Sequence, residues 1–554
     1  MSSPGHGVVG SRKPTPFTNM LPLRPAPSYP IDKLAALAEA MKGDVDTPKD
    51  GDDPEENLCV PAGYTYFGQF IDHDLTFDST SSLNPADTSD GATRVPTNLR
   101  SPRFDLDCVY GDGPDAQPFM YADDGATLLY GGTGQPTHEA NPDGLITSET
   151  ASWDLLRAPN GRAIIGDKRN DENSIVSQIQ LGFVKYHNAV VQRLKGEDPL
   201  SWNAHGQLFR SAQNEVRWTY QRLVVEDFLP RIVAHDVLAD LQGKSVDERQ
   251  DSYVLYKEEL RTNLPREFVA AAYRFGHSGV RTGYRLNRHT KLSIFPASND
   301  TNQADDSLLG FDPLPKHHVI ENWDRFFTLF APNHIFDDSG RTAAGITPDP
   351  KVRLQFAYKL DTTIVDPLGV LPPGVAGGAT DELKNRVPPP NMPNSDRPSL
   401  ALLNLVRGDV YQVASGQDVA DRLIAAGKLV SKLTAAQLVV RKALTIRGVP
   451  SFQWTAIDEA LQADTPLWFY VLAEAQAPLV DAIPVDADRT FPEDKLLHGV
   501  GARTQLGWVG GRIIAEVFYG LLDSDEESFV RAAPSFAPKM PHFGDLRVRN
   551  LLKF

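Results

Sequence analysis

The run Gly68-Gln69-Phe70-Ile71-Asp72-His73-Asp74 constrains this chain more than any other stretch. It sets an amide, two acids and an imidazole among Phe67, Phe70, Ile71, Leu75 and Phe77. Read as a helix over 64–77, it places Gln69, Asp72 and His73 at i, i+3 and i+4 on one face, while Asp74 points elsewhere. Unpaired buried charge is costly, so a fold that takes this run inside must supply partners or a ligand for it. Alone, the run also suits a solvated helix end or a histidine satisfied within a core.

Composition narrows the partners. The net charge is −17 over 554 residues, which argues against nucleic acid and anionic membranes. Cys59 and Cys108 are the only cysteines, so a disulfide scaffold and a CxxC metal site are excluded. Residues 1–30 show no basic stretch followed by an apolar one, hence no ordinary signal peptide. No apolar run reaches the roughly 18 residues of a membrane span. Glu474, Arg512 and Glu516 interrupt the most apolar stretches.

No internal repeat is present. Residues 1–30, rich in Pro, Gly and Ser, read as an extended arm, and 31–554 as one domain. Helical spacing is expected over Ile31–Met41, Asn173–Lys195, Ala204–Phe228, Asn263–Phe275, Ala435–Leu444, Trp468–Ala475, Val509–Leu522 and Ser524–Ala532. Strand signals are confined to Tyr253–Leu255 and Leu360–Val365. The tract 365–400, with Pro388-Pro389-Pro390, reads as a long surface loop. The expected class is mainly α, with long loops and few short strands.

Four further motifs carry chemistry. Ser101-Pro102-Arg103-Phe104-Asp105-Leu106-Asp107 offers side-chain oxygens at 101, 105 and 107; in an extended chain, alternation puts 105 and 107 on one side. Hard cations such as calcium take six to eight oxygens, and Asp74 could join this set. An ordinary acidic turn has the same composition. Gly166-Asp167-Lys168-Arg169-Asn170-Asp171-Glu172 sets Arg169 and Glu172 at i, i+3, which also suits a charged helix N-terminus. In Tyr273-Arg274-Phe275-Gly276-His277, the glycine leaves room for a flat ligand beside the histidine; a core histidine at a helix end is the plainer alternative. Leu402-Leu403-Asn404-Leu405-Val406-Arg407 places Asn404 and Arg407 at i, i+3.

Taken in order, GQFIDHD, SPRFDLDCVYG, GDKRNDE, YRFGH and LNLVR resemble the motifs of the animal-type haem peroxidases, within the peroxidase–cyclooxygenase superfamily. They span residues 68–407, and the later TPLWFYVLAEA and LGWVGGRIIAEVFYGLL are also similar. The resemblance implies a large helical domain that binds haem b and calcium. It would reduce hydrogen peroxide through a ferryl intermediate, with phenolic or aromatic donors, halide or thiocyanate as reductants. His73 resembles the distal histidine, Arg169 the distal arginine, and Gln69 the distal glutamine that holds water or halide. His277 resembles the proximal iron ligand and Asn404 its hydrogen-bond partner. Arg407 and Arg274 resemble arginines facing a haem propionate. Asp72 and Glu172 match the carboxylates ester-linked to haem methyls in mammalian members. Asp74, Ser101, the Arg103 carbonyl, Asp105 and Asp107 match the calcium ligands.

The pattern has departures. Asn173 follows Glu172 where myeloperoxidase has a haem-linked methionine, and the mammalian disulfides are missing. A fatty-acid dioxygenase of the cyclooxygenase-like branch would carry a tyrosine three residues before His277. That position is Arg274, and Tyr273 is one residue out of register. A non-catalytic structural relative would be expected to have lost one of Gln69, His73, Arg169 and His277. A His/Asp metallohydrolase leaves Asn404 and Arg407 unexplained. Location stays open between the cytoplasm and a non-standard export route.

Overall fold

The computed structural model describes residues 15–25, 28–44, 53–77, 97–131, 152–202, 204–257, 260, 263–296, 307–328, 330–332, 353–372, 399–539 and 546–553. Most of the expected N-terminal arm and the 373–398 part of the proline-rich tract lie outside them.

Among the described residues the long helices are α1 (Ile31–Ala40), α2 (Gly63–Leu75), α3 (Ser174–Glu197), α4 (Gln207–Leu223), α5 (Leu400–Val410), α6 (Gly416–Ala425), α7 (Leu467–Ala482) and α8 (Trp508–Ser524). Their starts are built from local hydrogen bonds. Asn173 caps α3 by accepting the Ile175 and Val176 N–H groups at 3.1 and 2.9 Å. Ser399 caps α5 through the Leu402 N–H at 3.0 Å, and Ser415 with Asp418 forms a capping box on α6. The α8 start has no side-chain cap of its own. Glu474 of α7 accepts its Val509 and Gly510 N–H groups instead.

Two expected helices are overturned and one is broken. Residues 435–444 are not helical: Val439–Ile446 is strand β3, which pairs antiparallel with β4 (Val449–Ala456), and β4 with β5 (Thr490–Pro492). Arg447 at φ 50° and Gly448 at φ 81° make the two-residue turn whose twist suits a hairpin, and the adjacent β-branched Val439 and Val440 fit a strand. Of 524–532, Ser524 ends α8 and only Phe529–Ala532 is helical beyond it, because the backbone leaves α8 at Asp525 with φ −91°, ψ 108°. The 263–275 segment divides at Ala271 into a short helix, Arg266–Ala270, and a 3-10 turn, Ala272–His277.

The two expected strands are irregular, because side chains satisfy much of their main chain and Ile364 alone of them bridges another segment, at Lys42. The Val254, Leu255 and Tyr256 N–H groups all donate to Glu516. Leu360 donates to Thr504 Oγ1 and Thr362 to Gln476 Oε1. Elsewhere a small sheet pairs β1 (Glu56–Pro61) with β2 (Phe356–Tyr358). Small sheets between long helices give the mainly α class expected.

The core fixes how α2 faces. Phe67, Phe70, Ile71 and Asp74 recur at helical spacing, and the apolar members pack toward α3 and α4. Phe70 stacks on Phe183 of α3 at 4.7 Å between ring centroids, and Tyr220 of α4 meets Phe183 edge-on at 5.6 Å. With that face buried, Gln69, Asp72 and His73 turn to the other side. Phe183→Ala should lower unfolding free energy by about 3–5 kcal/mol, the usual cost of truncating a fully buried phenylalanine. Denaturant unfolding followed by circular dichroism checks it.

Candidate active site

The distal group assembles on α2 and the turn before α3. His73 is 4% exposed, and its Nδ1 lies 2.7 Å from Asn170 Oδ1. Its Nε2 stands 3.8 Å from Glu172 Oε1. Gln69 donates through Nε2 to Glu172 and accepts at Oε1 from Asn173 Nδ2 at 3.1 Å. Asp72 accepts from the Thr76 hydroxyl at 3.1 Å. Burial, reinforced by the Arg169 charge, lowers His73 to about 4. It is therefore neutral over any ordinary working pH, as a proton acceptor must be.

Burial also raises the Glu172 carboxyl to about 7, against the pull of Arg169. Yet its side chain keeps 32% of its surface accessible. Protein surrounds the group without touching much of it, which is how a residue on the wall of an internal space behaves.

Arg169 lies within a 3-10 turn, Lys168–Asp171, and Glu172 ends it, so neither stands within α3. Asp167 caps that turn by accepting the Arg169 N–H, and its carboxylate holds the guanidinium through Nε at 3.2 Å and Nη2 at 2.8 Å. Nη2 also donates to the His73 carbonyl at 3.2 Å and to the Thr76 carbonyl. Phe77 lies under the guanidinium at 4.7 Å. A second, buried arginine supports the arrangement: Arg100 meets Asp167 at 2.6 Å and Asp107 at 3.0 Å. Burial alone would raise the Asp167 carboxyl; Arg169 and Arg100 hold it well below the usual carboxylate range.

Asp107 links this group to the acidic loop. Asp74, Asp105 and Asp107, all buried, bring one carboxylate oxygen each within 4.8 Å of the others. The expected extended chain is not how this happens. Leu106 takes a left-handed conformation, φ 57°, and Asp107 opens a short helix, so a turn converges the carboxylates. Ser101 Oγ donates to Asp105 at 2.6 Å. The Arg103 side chain points away, toward Asp525 at 3.6 Å. Neither oxygen of Asp74, which is fully buried, has a hydrogen-bond partner. Burial and the like charges of Asp105 and Asp107 push its carboxyl well above the ordinary value. Gly166 packs on this loop so closely that a Cβ would meet the Asp107 carbonyl at 2.2 Å.

The proximal group lies on the Ala272–His277 turn and α5. His277 Nδ1 is 2.8 Å from the Asn404 side-chain amide. The atom placed there is Nδ2, which donates to Nδ1. A half-turn of the amide brings its carbonyl to an Nδ1–H and leaves the lone pair on Nε2. Burial, with Arg274 and Arg407 adding, lowers His277 to about 3. Arg274 Nε donates to the Val269 carbonyl at 3.0 Å. Arg407 forms no ion pair among the described residues, and its buried Nε has no hydrogen-bond partner. Tyr273 donates its hydroxyl to the Gly68 carbonyl at 3.2 Å, seating this turn against α2.

A sequence model of the family described as animal haem peroxidase matches residues 79–315, a span that holds the acidic loop, the Arg169 turn and the His277 turn. That stretch of the chain is similar to the animal haem peroxidase family. A peroxidase-like protein of Margaritifera margaritifera is 26% identical over 293 residues, covering 42% of this chain and 36% of that protein. Heme peroxidase 2 of Caenorhabditis elegans is 23% identical over 255 residues, covering 44% and 34%. The chain thus spans about a third of the length of these curated relatives. Peroxidase A from Dictyostelium discoideum shares the fold at a TM-score of 0.50 with 12% identity, over 94% of this chain and 90% of that one.

The family implies haem, and the residues present fit it. His277 is held at Nδ1 by Asn404 with Nε2 on the other side of the ring, a Cβ built on Gly276 meets nothing within 4 Å, and Arg407 is a cation with an orphaned donor. Of the residues singled out in the sequence, the structure brings together His73 with Arg169, Asp74 with Asp105 and Asp107, and His277 with Asn404. Sequence reasoning missed Asp167, Asn170 and Arg100, although the first two stand inside the GDKRNDE motif. The helical period says nothing of them because they act from a turn.

A raised acid contributes stability below its unfolded value, and that contribution is lost as pH rises toward its folded value. Glu172→Gln should therefore raise the denaturant midpoint above pH 7, and the gain should fade as pH falls toward the ordinary glutamate range. Midpoints measured between pH 4.5 and 8 check the sign.

Proposed function

We propose that this chain is a haem-dependent peroxidase. It reduces hydrogen peroxide and draws electrons from phenolic or aromatic donors one at a time, or from halide or thiocyanate two at a time. The observation that carries the reading is His73: a buried, neutral imidazole whose Nδ1 is already engaged, with the Arg169 guanidinium fixed to its own carbonyl.

Haem, when bound through His277, supplies the iron that takes up peroxide and holds the oxidising equivalents. His73 Nε2 accepts the proton of one peroxide oxygen and returns it to the other. Arg169, which cannot lose its proton, offsets negative charge on the departing oxygen. Gln69 holds water or halide beside His73. Asn404, with its amide turned over so that the carbonyl accepts the Nδ1–H of His277, would make the opposite nitrogen a stronger ligand. Arg274 and Arg407 are the cations for the haem carboxylates, and Asp72 and Glu172 the carboxylates available for ester links.

The buried acids have a role in the same reading. Asp74, Ser101, Asp105, Asp107 and the Arg103 carbonyl supply oxygens for calcium. The support is Asp74, whose partnerless buried carboxylate a cation would satisfy.

Protein expressed with haem supplied should show a Soret band that shifts with one equivalent of hydrogen peroxide and returns with a phenolic donor. His73→Ala should keep the band and slow the shift by about 10²–10⁴-fold; a wild-type rate would remove His73 from the distal role. His277→Ala should lose the native band, and a native-like band would rule out iron ligation by His277. Asp105→Ala should lower bound calcium measured by plasma emission, and unchanged stoichiometry would reject the loop as its site. Acid–acetone extraction reads the ester links directly: linked haem stays with the protein.

A further inference from the structure

We infer that Asn170 and Gln180 are positioning residues that fix the distal histidine as its Nδ1–H tautomer, through a hydrogen-bond chain whose direction is set by a backbone carbonyl. This rests on the peroxidase reading of His73 and adds two residues to it.

The chain is polarised from its far end. Gln180, fully buried on α3, brings Nε2 to the Cys108 carbonyl at 3.4 Å. A backbone carbonyl only accepts, so the donor end of the Gln180 amide must face it. Gln180 Oε1 is then the end that meets Asn170, and it accepts from Asn170 Nδ2 at 2.8 Å. Asn170 is fully buried and is left with Oδ1 toward His73 Nδ1, at 2.7 Å. An amide oxygen cannot donate, so the imidazole nitrogen facing it carries the proton. Each amide orientation, ordinarily exchangeable, is thereby decided by a group that is not.

The consequence falls on the other ring nitrogen. With Nδ1 protonated, Nε2 holds the lone pair, on the side where Glu172 lies at 3.8 Å. The opposite tautomer would present an N–H there and could not take a proton from peroxide. The anchor also has a meaning: Cys108 directly follows Asp107, so the far end of the chain is attached to the acidic loop. A chain of two buried amides with no exposed member resists reversal, because turning one alone would oppose two oxygens or two N–H groups.

The charged groups facing His73 are Arg169, Asp167, Asp72 and Glu172, and all stay in place in the variants chosen. The test compares the native chain with Asn170→Leu, Asn170→Asp and Gln180→Leu. ¹⁵N-histidine NMR reads the tautomer, with zinc protoporphyrin loaded as a closed-shell haem. Rapid mixing of the iron-haem protein with hydrogen peroxide reads the rate against pH.

The native ring should show a protonated Nδ1. Asn170→Leu should lose that preference and slow the peroxide reaction by about 100-fold, within the range for a general base. Asn170→Asp keeps an acceptor and should restore Nδ1–H. Its added negative charge should move the acid limb of the rate profile to higher pH. Gln180→Leu should give a mixture of tautomers and an intermediate rate. A native Nε2–H tautomer, or Asn170→Leu with native tautomer and native pH profile, would overturn the inference. If the tautomers respond as stated but no form reacts with peroxide, the relay stands and the peroxidase reading fails. If His73→Ala abolishes the reaction while the Asn170 variants leave tautomer and rate unchanged, the relay fails alone.

Discussion

Arg100 is the contact on which the site depends. It is 4% exposed, and a guanidinium taken that far from water persists only with charged partners around it. Its two carboxylates belong to different tasks: Asp107 to the acidic loop and Asp167 to the turn that presents Arg169. Asn98 secures the same region, accepting from the Phe77 and Arg100 N–H groups and donating to the Leu75 carbonyl at the end of α2. The acidic loop, the end of α2 and the Arg169 turn are therefore one hydrogen-bonded body. Four carboxylates (Asp74, Asp105, Asp107 and Asp167) face two guanidiniums there. In the proposed reading, a divalent cation at the acidic cluster would balance that excess, and it would act on Arg169 through Asp107, Arg100 and Asp167 without touching it.

The two histidines are kept neutral for different ends. Both are lowered chiefly by burial, with arginine charge adding: Arg169 beside His73, Arg274 and Arg407 beside His277. Each sets Nδ1 against an asparagine, His73 against Asn170 Oδ1 and His277 against Asn404 Nδ2, so that Nε2 faces the other way in both. The surroundings of that nitrogen differ. Around His73 stand Glu172, Gln69 and Arg169, groups able to handle protons and developing charge. Beside His277 the glycine at 276 leaves open space and Arg407 an unsatisfied donor. In the proposed reading, one imidazole exchanges a proton and the other donates a lone pair.

Much of this was legible in the sequence because it depends on spacing along one element. Gln69, Asp72 and His73 share a face of α2, and Asn404 and Arg407 share one of α5, as i, i+3 and i+4 require. What failed depends on contacts between distant segments. Residues 360–365 carry strand-like composition, yet Thr504 and Gln476 take the Leu360 and Thr362 N–H groups. Residues 439–446 carry enough helical spacing to mislead, and the Arg447-Gly448 turn with its partner strand decides against it. The convergence of Asp105 and Asp107 comes from one left-handed residue, Leu106, and no alternation rule contains that.

The finer layer of the site is a matter of direction rather than position. Gln69 could present either end of its amide to Glu172, and the choice is made on α3. The Asn173 Oδ1 is committed to the Ile175 and Val176 N–H groups, so its Nδ2 must face Gln69. Gln69 then accepts there and turns its own N–H groups toward Glu172. The helix start that caps α3 thus orients the distal glutamine, just as the Cys108 carbonyl orients Gln180 and Asn170. In both cases a main-chain group of fixed polarity dictates what a side-chain amide several ångströms away can offer. Asparagine is suited to this role because a short side chain with both a donor and an acceptor transmits direction with little freedom to rearrange. At residue 173 an apolar side chain of similar length would fill the space and leave the Gln69 amide free to turn.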